Sequence, residues 1–233
     1  MIGRGKKMSK EIENEINADQ LRITFLKYTK KAFEMLPKIN NPRILDIGCG
    51  SGIPTLELAR LSNGEIIGID IDQSALDELR EKARKLGLSS RVKTINCSLF
   101  ELDFESESFD IIWAEGALAP IGFERALKEW RRLLKIKGFI VAHDDLQNKE
   151  RKLRIIPKYG YVLINHFHLP DDAWWTEYYD PLEKRINEVR NKHKDDPKVP
   201  EVVKSYQNEI DAYKKNPKAF RSIFYIMQKT NLS

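Results

Sequence analysis

The sequence predicts an α/β protein built on a mostly parallel sheet. Three observations carry that expectation. The apolar run Ile44-Leu45-Asp46-Ile47 breaks into Gly48-Cys49-Gly50-Ser51-Gly52, further short apolar runs alternate with helical periodicity, and several of those runs end on an acid. A short run of this kind suits a strand buried on both faces. Alternating glycines let the backbone turn with positive φ and remove the Cβ that would stand between chain and ligand. The helix that follows presents its free N–H groups to the same place.

Each element follows in order. A helix is expected from about Ala18 to Leu36, then strand one from Arg43 to Ile47. Ile66-Ile67-Gly68-Ile69-Asp70 reads as strand two. Ser74, with Asp77 three residues on, looks like the cap of a helix whose apolar face is Leu76, Leu79, Ala83 and Leu86, stopped by Gly87. Val92–Asn96 and Phe109–Ala114 are strands three and four. Arg125–Leu134 is an amphipathic helix, Lys137-Gly138 ends the helix and its loop, and Phe139–Ala142 is strand five, stopping at His143-Asp144-Asp145. Tyr159–His168 and Arg221–Lys229 look like strands six and seven. The roughly fifty residues between them read as two helices broken near Lys194 to Pro200 by charge and two prolines.

The loop separates two ligand classes. A dinucleotide fingerprint wants G-x-G-x-x-G, whereas Ile53 stands where its third glycine belongs, and Asp46 would repel a pyrophosphate. An acid there suits a ligand carrying a cation. The stretch Asp46-Ile47-Gly48-Cys49-Gly50-Ser51-Gly52 closely resembles the first motif of class I S-adenosylmethionine-dependent methyltransferases.

That resemblance implies a Rossmann-like seven-stranded, mostly parallel sheet of order 3-2-1-4-5-7-6 flanked by helices, here with a helical insertion between strands six and seven. It implies S-adenosylmethionine as cofactor, held by Asp46, Gly48, Cys49, Gly50 and Gly52, and by Asp70 and its neighbour Ile71 at the ribose. Ser98 and Leu99 would read the adenine, with Ser98 standing where the family usually has Asp. Glu115, at the end of strand four, falls beside the methyl donor and acceptor. The Asn/Asp-Pro-Pro-Tyr/Phe sequence of amino-directed nucleic-acid and glutamine methylases is absent. The segment from Phe167 to Leu182, rich in aromatics, resembles a small-molecule branch near the quinone and sterol methylases; Trp174, Trp175, Tyr178 and Tyr179 in it are expected either to wall the acceptor or to pin the helix onto the sheet.

Composition sets the outer bounds. At 233 residues one domain is expected over residues 18–233, including an insertion at about 171–218, after a flexible basic tail over 1–17. The formal charge is +5, with +4 in the first ten residues and another +4 from Glu183 to Arg221. A basic face of that kind can follow RNA phosphates, although mixed-sign helices are more often simply solvated. No apolar run approaches the roughly 18 residues of a membrane span. Two cysteines and no export signal point to a cytoplasmic protein.

Glu115 and His143 are the candidate general bases. Glu115 with Asp144 and Asp145 resembles a magnesium-binding carboxylate set, and His166 with His168 shares one strand face; the expectation for both is no metal. The expected activity is methyl transfer to a small molecule by in-line displacement. RNA methylation through the basic insertion and non-catalytic binding of S-adenosylmethionine are the alternatives.

Overall fold

The structure, a computed structural model, describes residues 11–231. Seven strands form one sheet: β1 (Arg43–Ile47), β2 (Glu65–Asp70), β3 (Val92–Asn96), β4 (Phe109–Glu115), β5 (Leu134–Asp145), β6 (Tyr161–His168) and β7 (Ser222–Lys229). Their order is β3-β2-β1-β4-β5-β7-β6, as expected; β7 runs antiparallel to both β5 and β6, and the other pairs are parallel.

The helices are α1 (residues 11–16), α2 (Ala18–Arg22), α3 (Leu26–Glu34), α4 (Ile53–Leu61), α5 (Gln73–Lys85), α6 (Phe123–Trp130), α7 (Lys149–Ile155), α8 (Asp180–Lys192) and α9 (Val199–Lys215). The chain divides into two compact units. The sheet unit runs from Leu26 to His168 and resumes at Ser222; the helical unit contains residues up to Phe25 and Leu169–Arg221.

In the sheet unit, parallel pairing with helical crossovers buries the central strands on both faces, so Ile44, Leu45, Ile47, Ile66, Ile112 and Trp113 are closed to solvent. A second core fills the helical unit from Ile12, Ile16, Leu182, Ile186, Val203, Ile210 and their neighbours. Residues 1–10 of the expected tail lie outside the described residues. Residues 11–16 are helical, because Ile12 and Ile16, four apart, lie on one helix face and both are buried.

Local expectations shift at several boundaries. The helix expected over Ala18–Leu36 is interrupted by a 3-10 turn at Ile23–Phe25, where the chain passes from one unit to the other. The cap of α5 is Asp72, not Ser74: its carboxylate accepts from the N–H groups of Ser74 and Ala75, and a charged acceptor outcompetes a hydroxyl at a helix N-terminus. β5 starts five residues early, at Leu134. Lys137 takes a positive φ of 64° inside it, and a Cβ on Gly138 would sit 3.0 Å from the Asp110 carbonyl, so this pair makes a close strand crossing and not a helix stop.

Candidate active site

The glycine loop closes the carboxyl end of β1. Gly48, Gly50 and Gly52 have φ of 71°, 50° and 83°. The N–H groups of Gly48 and Cys49 both donate to the Ile69 carbonyl (2.9 and 3.0 Å), which ties the loop to the end of β2. A Cβ on Gly52 would lie 2.1 Å from Leu79 and one on Gly48 2.7 Å from Ala117, so both glycines are required for packing. At Gly50 a Cβ would meet nothing within 4 Å. The outer and inner glycines let the chain pack; the middle one borders open space.

Asp70 holds that middle glycine. Its Oδ2 accepts from Gly50 N (2.8 Å) and its Oδ1 from Asp72 N (2.9 Å). Each carboxylate oxygen keeps a further acceptor direction, which suits a vicinal diol. Asn96, which sequence reasoning missed, pins the same turn by donating from Nδ2 to the carbonyls of Asp70 and Ile71 (3.2 and 2.9 Å). Ile71 is 75% exposed beside it. Ser98 Oγ accepts from Phe100 N (3.2 Å), and Leu99 packs partly on the core. Cys49 is buried, and burial pushes its thiol pKa up.

A second set of groups lies on the α3–α4 face of the sheet. Register aligns Asp46 of β1 with Trp113 of β4, and Glu115 of β4 with His143 of β5. Alternation puts Trp113 and Glu115, two apart, on one face. Asp46 is 2% exposed, and Thr55, in the first turn of α4, donates to its Oδ2 (2.6 Å). Trp113 Nε1 and Thr29 Oγ1 of α3 both donate to Glu115 Oε1 (2.7 and 2.9 Å). Of these partners, Trp113 was legible from the two-residue period; Thr29, 86 residues from Glu115, was not.

Burial sets the charge of these groups. It pushes Asp46 up to about 7 against the pull of the Thr55 hydroxyl, with the Asp70 charge adding to the rise. It pushes Glu115 up to about 7 as well, opposed by the donors on Trp113 and Thr29 and helped by Asp46. His143 moves the other way. It is 9% exposed and stacks on Phe224 at 4.4 Å and 11°, and desolvation lowers its pKa to about 4. The two candidate bases, register partners on adjacent strands, are thus driven apart. Glu115 titrates near neutrality, where a general base works best, and His143 stays a neutral imidazole.

The remaining acids do not join them. Asp144 and Asp145 are both held by Lys152 of α7 (2.6 and 3.0 Å), and Asp144 follows His143 on the strand and so faces the opposite side of the sheet from Glu115. Among the described residues no group of three His, Cys, Asp or Glu side chains is placed to hold a metal ion. Trp174, Trp175, Tyr178 and Tyr179 lie in the helical unit. Residues 175–179 form a π-helical turn; Tyr178 and Tyr179 are core residues, Trp174 meets Phe25 at 4.6 Å, and Trp175 stacks on Tyr213 at 5.5 Å.

A family model described as a methyltransferase domain matches residues 44–138, from β1 into β5. That span contains the glycine loop, Asp46, Asp70 and Glu115. Residues 44–138 are a methyltransferase domain. The sheet that carries it is Rossmann-like.

Among curated relatives, the domain is similar to the sterol 24-C-methyltransferase ERG6B of Gibberella zeae, 28% identical over 179 residues, which cover 64% of this chain and 47% of that protein. It is also similar to the 27-O-demethylrifamycin SV methyltransferase of Amycolatopsis mediterranei, 33% identical over 86 residues, covering 37% and 32%. The chain thus spans less than half the length of these relatives. Among solved structures, the [4+2]-cyclase SpnF superposes with a TM-score of 0.72 at 20% identity, covering 88% of this chain and 81% of that one. A Geobacter sulfurreducens S-adenosylmethionine-dependent methyltransferase in complex with S-adenosyl-L-homocysteine superposes with a TM-score of 0.68 at 18% identity, covering 89% and 90%. At these identities the structures establish the fold. That a cyclase shares it means the fold alone does not fix the reaction.

Proposed function

We propose that this protein transfers a methyl group from S-adenosylmethionine to a small-molecule acceptor, in line, with Glu115 as the base. The observation that carries the reading is the pairing of Gly50 N with Asp70 at the edge of open space, above a buried acid and with no basic side chain among the loop residues. Those residues fit S-adenosylmethionine better than a dinucleotide: Asp70 offers its oxygens to the ribose diol, and Asp46 under the loop favours a cation over a pyrophosphate. Ile71, Ser98 and Leu99 border the adenine, and Gly48, Cys49, Gly50 and Gly52 the amino-acid moiety.

When bound, S-adenosylmethionine supplies an electrophilic methyl on a positively charged sulfur. What this chain adds is alignment, exclusion of water and a proton acceptor. An acceptor atom that loses a proton on methylation would pass it to Glu115, whose carboxylate would become a carboxylic acid. His143, neutral and stacked, orients the end of β5 beside it. Of the four aromatic residues expected at the acceptor, Trp174 and Trp175 are half-buried and Tyr178 and Tyr179 are core residues, all within the helical unit.

Small molecules are favoured over RNA because five of the eleven cations between Glu183 and Arg221 are engaged locally. Lys184 pairs with Asp180, Lys192 with Glu15, Lys214 with Glu183 and Arg221 with Asp171, while Arg185 donates to the carbonyls of Ile16 and Asn17. No described helix is long and apolar enough to cross a membrane. Two free thiols suit a reducing, cytoplasmic compartment. Calorimetric titration with S-adenosyl-L-homocysteine tests the cofactor site: binding by the wild type that Asp70→Ala weakens is expected, and equal affinity of the two would refute the ribose assignment.

A further inference from the structure

Thr29 occupies an unusual place for a threonine. It lies in the middle of α3, is 1% exposed, and has Ala32 fully buried on the same helix face. A threonine inside a helix usually returns its hydroxyl to the carbonyl one turn back or faces water, and it is a poor helix former. Here the hydroxyl reaches across to β4 and donates to Glu115 Oε1 at 2.9 Å. Trp113 Nε1 donates to the same oxygen at 2.7 Å. Phe33, also on α3, lies 6.4 Å from the Trp113 ring and packs that indole in place. Oε2 accepts no hydrogen bond among the described residues.

We infer that Thr29 and Trp113 are positioning residues for the methyl transfer: two donors converging on Oε1 fix the Glu115 side chain and leave Oε2 as the oxygen that takes the acceptor proton. This rests on the reading of Glu115 as the base. It makes α3 part of the reaction machinery, although α3 carries none of the residues by which the family is recognised.

The neighbours of Glu115 are accounted for on each side. From β1, Asp46 faces it, and from β5, His143. From α3, Lys27 lies over the Tyr28 ring, Lys30 pairs with Glu34, and Lys31 lies 4.2 Å from the Phe167 ring, so Thr29 is the α3 group directed at the carboxylate. From α4, Thr55 is committed to Asp46. Removing the Thr29 donor therefore changes the hydrogen bonding of Glu115 without removing a charge.

The test needs no acceptor. The Trp113 indole N–H, assigned by its loss in Trp113→Phe, reports the protonation of Glu115 in a nuclear magnetic resonance pH titration of the full chain. In Thr29→Val the titration midpoint is expected to rise by about one pH unit, the equivalent of one hydrogen bond to a charged group. In Thr29→Ser, which restores the hydroxyl, it should return close to the wild-type value. Affinity for S-adenosyl-L-homocysteine should stay within about twofold in both, since neither change touches the loop or Asp70. An unmoved midpoint in Thr29→Val, or a serine variant behaving like the valine one, overturns the positioning role. Glu115→Gln should abolish the titration; its persistence would assign it to another group and also overturn the role. Failure of the base reading shows separately, as undiminished methyl transfer by Glu115→Gln from labelled S-adenosylmethionine to a metabolite pool while the Thr29→Val shift remains.

Discussion

The sheet unit buries carboxylates where the helical unit buries aromatic rings. Asp46 and Glu115 sit under α3 and α4 with hydroxyl and indole donors on their oxygens. In the helical unit Tyr178, Tyr179, Trp175, Tyr213 and Phe220 pack against one another, edge-on, tilted or stacked, with ring centres 5.0–5.6 Å apart. Burying an acid opposes folding even when it is hydrogen-bonded, whereas burying an aromatic ring favours it. The first arrangement persists because it does something other than hold the chain together. The second adds to the aliphatic core of Ile12, Ile16, Leu182, Ile186, Val203 and Ile210. A cluster of aromatic residues in a sequence therefore says less about a ligand than a buried acid in a structure.

The contrast predicts opposite responses to substitution. The largest effect is expected at Glu115→Gln, which keeps shape and removes the base. Methyl transfer to an acceptor with an ionisable proton should fall by roughly 10²–10⁴-fold while the melting temperature holds or rises. A fall in stability with activity retained would invert the roles of the two regions. Next comes Tyr179→Ala in the helical unit. It should cost about 3 kcal/mol or more of stability, the usual loss for a buried aromatic, and leave affinity for S-adenosyl-L-homocysteine within about twofold. Thermal denaturation and calorimetry on the same sample separate the two quantities.

Asp70→Ala removes the hydrogen bonds from Gly50 N and Asp72 N as well as those proposed to the ribose. At about 1.5–3 kcal/mol for a bond to a charged group, affinity should drop on the order of 100-fold, with little change in the melting temperature. The smallest effect is the pH dependence of stability. Asp46 and Glu115 have folded pKa values near 7, above their ordinary values, so the folded state binds more protons than the unfolded one and stability falls as pH rises from about 4 to about 7. His143, lowered to about 4, opposes this only up to its ordinary value of 6.5. Asp46→Asn should therefore stabilise the protein more at pH 8 than at pH 5, read as the difference in melting temperature from wild type. An equal gain at both would mean that Asp46 is not held above its ordinary pKa.

What the sequence disclosed was local. The glycine loop and Asp70 at the end of β2 depend on residues close together in the chain, where spacing sets the geometry, while the strand order followed from the resemblance of the loop motif to a known family. Glu115 was found because it ends an apolar strand. The donors that define its chemistry were harder: Trp113 follows from a two-residue period, while Thr29 depends on how α3 lies over the sheet, which no local pattern encodes. Asp144 and Asp145 looked like companions of Glu115 by proximity in sequence to the end of β5. Strand alternation and Lys152 remove them, and that ion pair with α7 was not visible from spacing. Asp72, two residues before Ser74, caps α5 because the helix starts at Gln73 and its carboxylate accepts from the N–H groups of Ser74 and Ala75. The helix of residues 11–16 was hidden by the basic residues before it.

The most direct measurement is transfer of labelled methyl from S-adenosylmethionine by the purified protein into a pool of small metabolites, followed by acid precipitation. Label in the soluble fraction, reduced in Glu115→Gln and restored by no change in the helical unit, is the expected result. Label in an RNase-sensitive precipitate would contradict the small-molecule reading, and tight binding of S-adenosyl-L-homocysteine with no transfer to any acceptor would contradict methyl transfer itself.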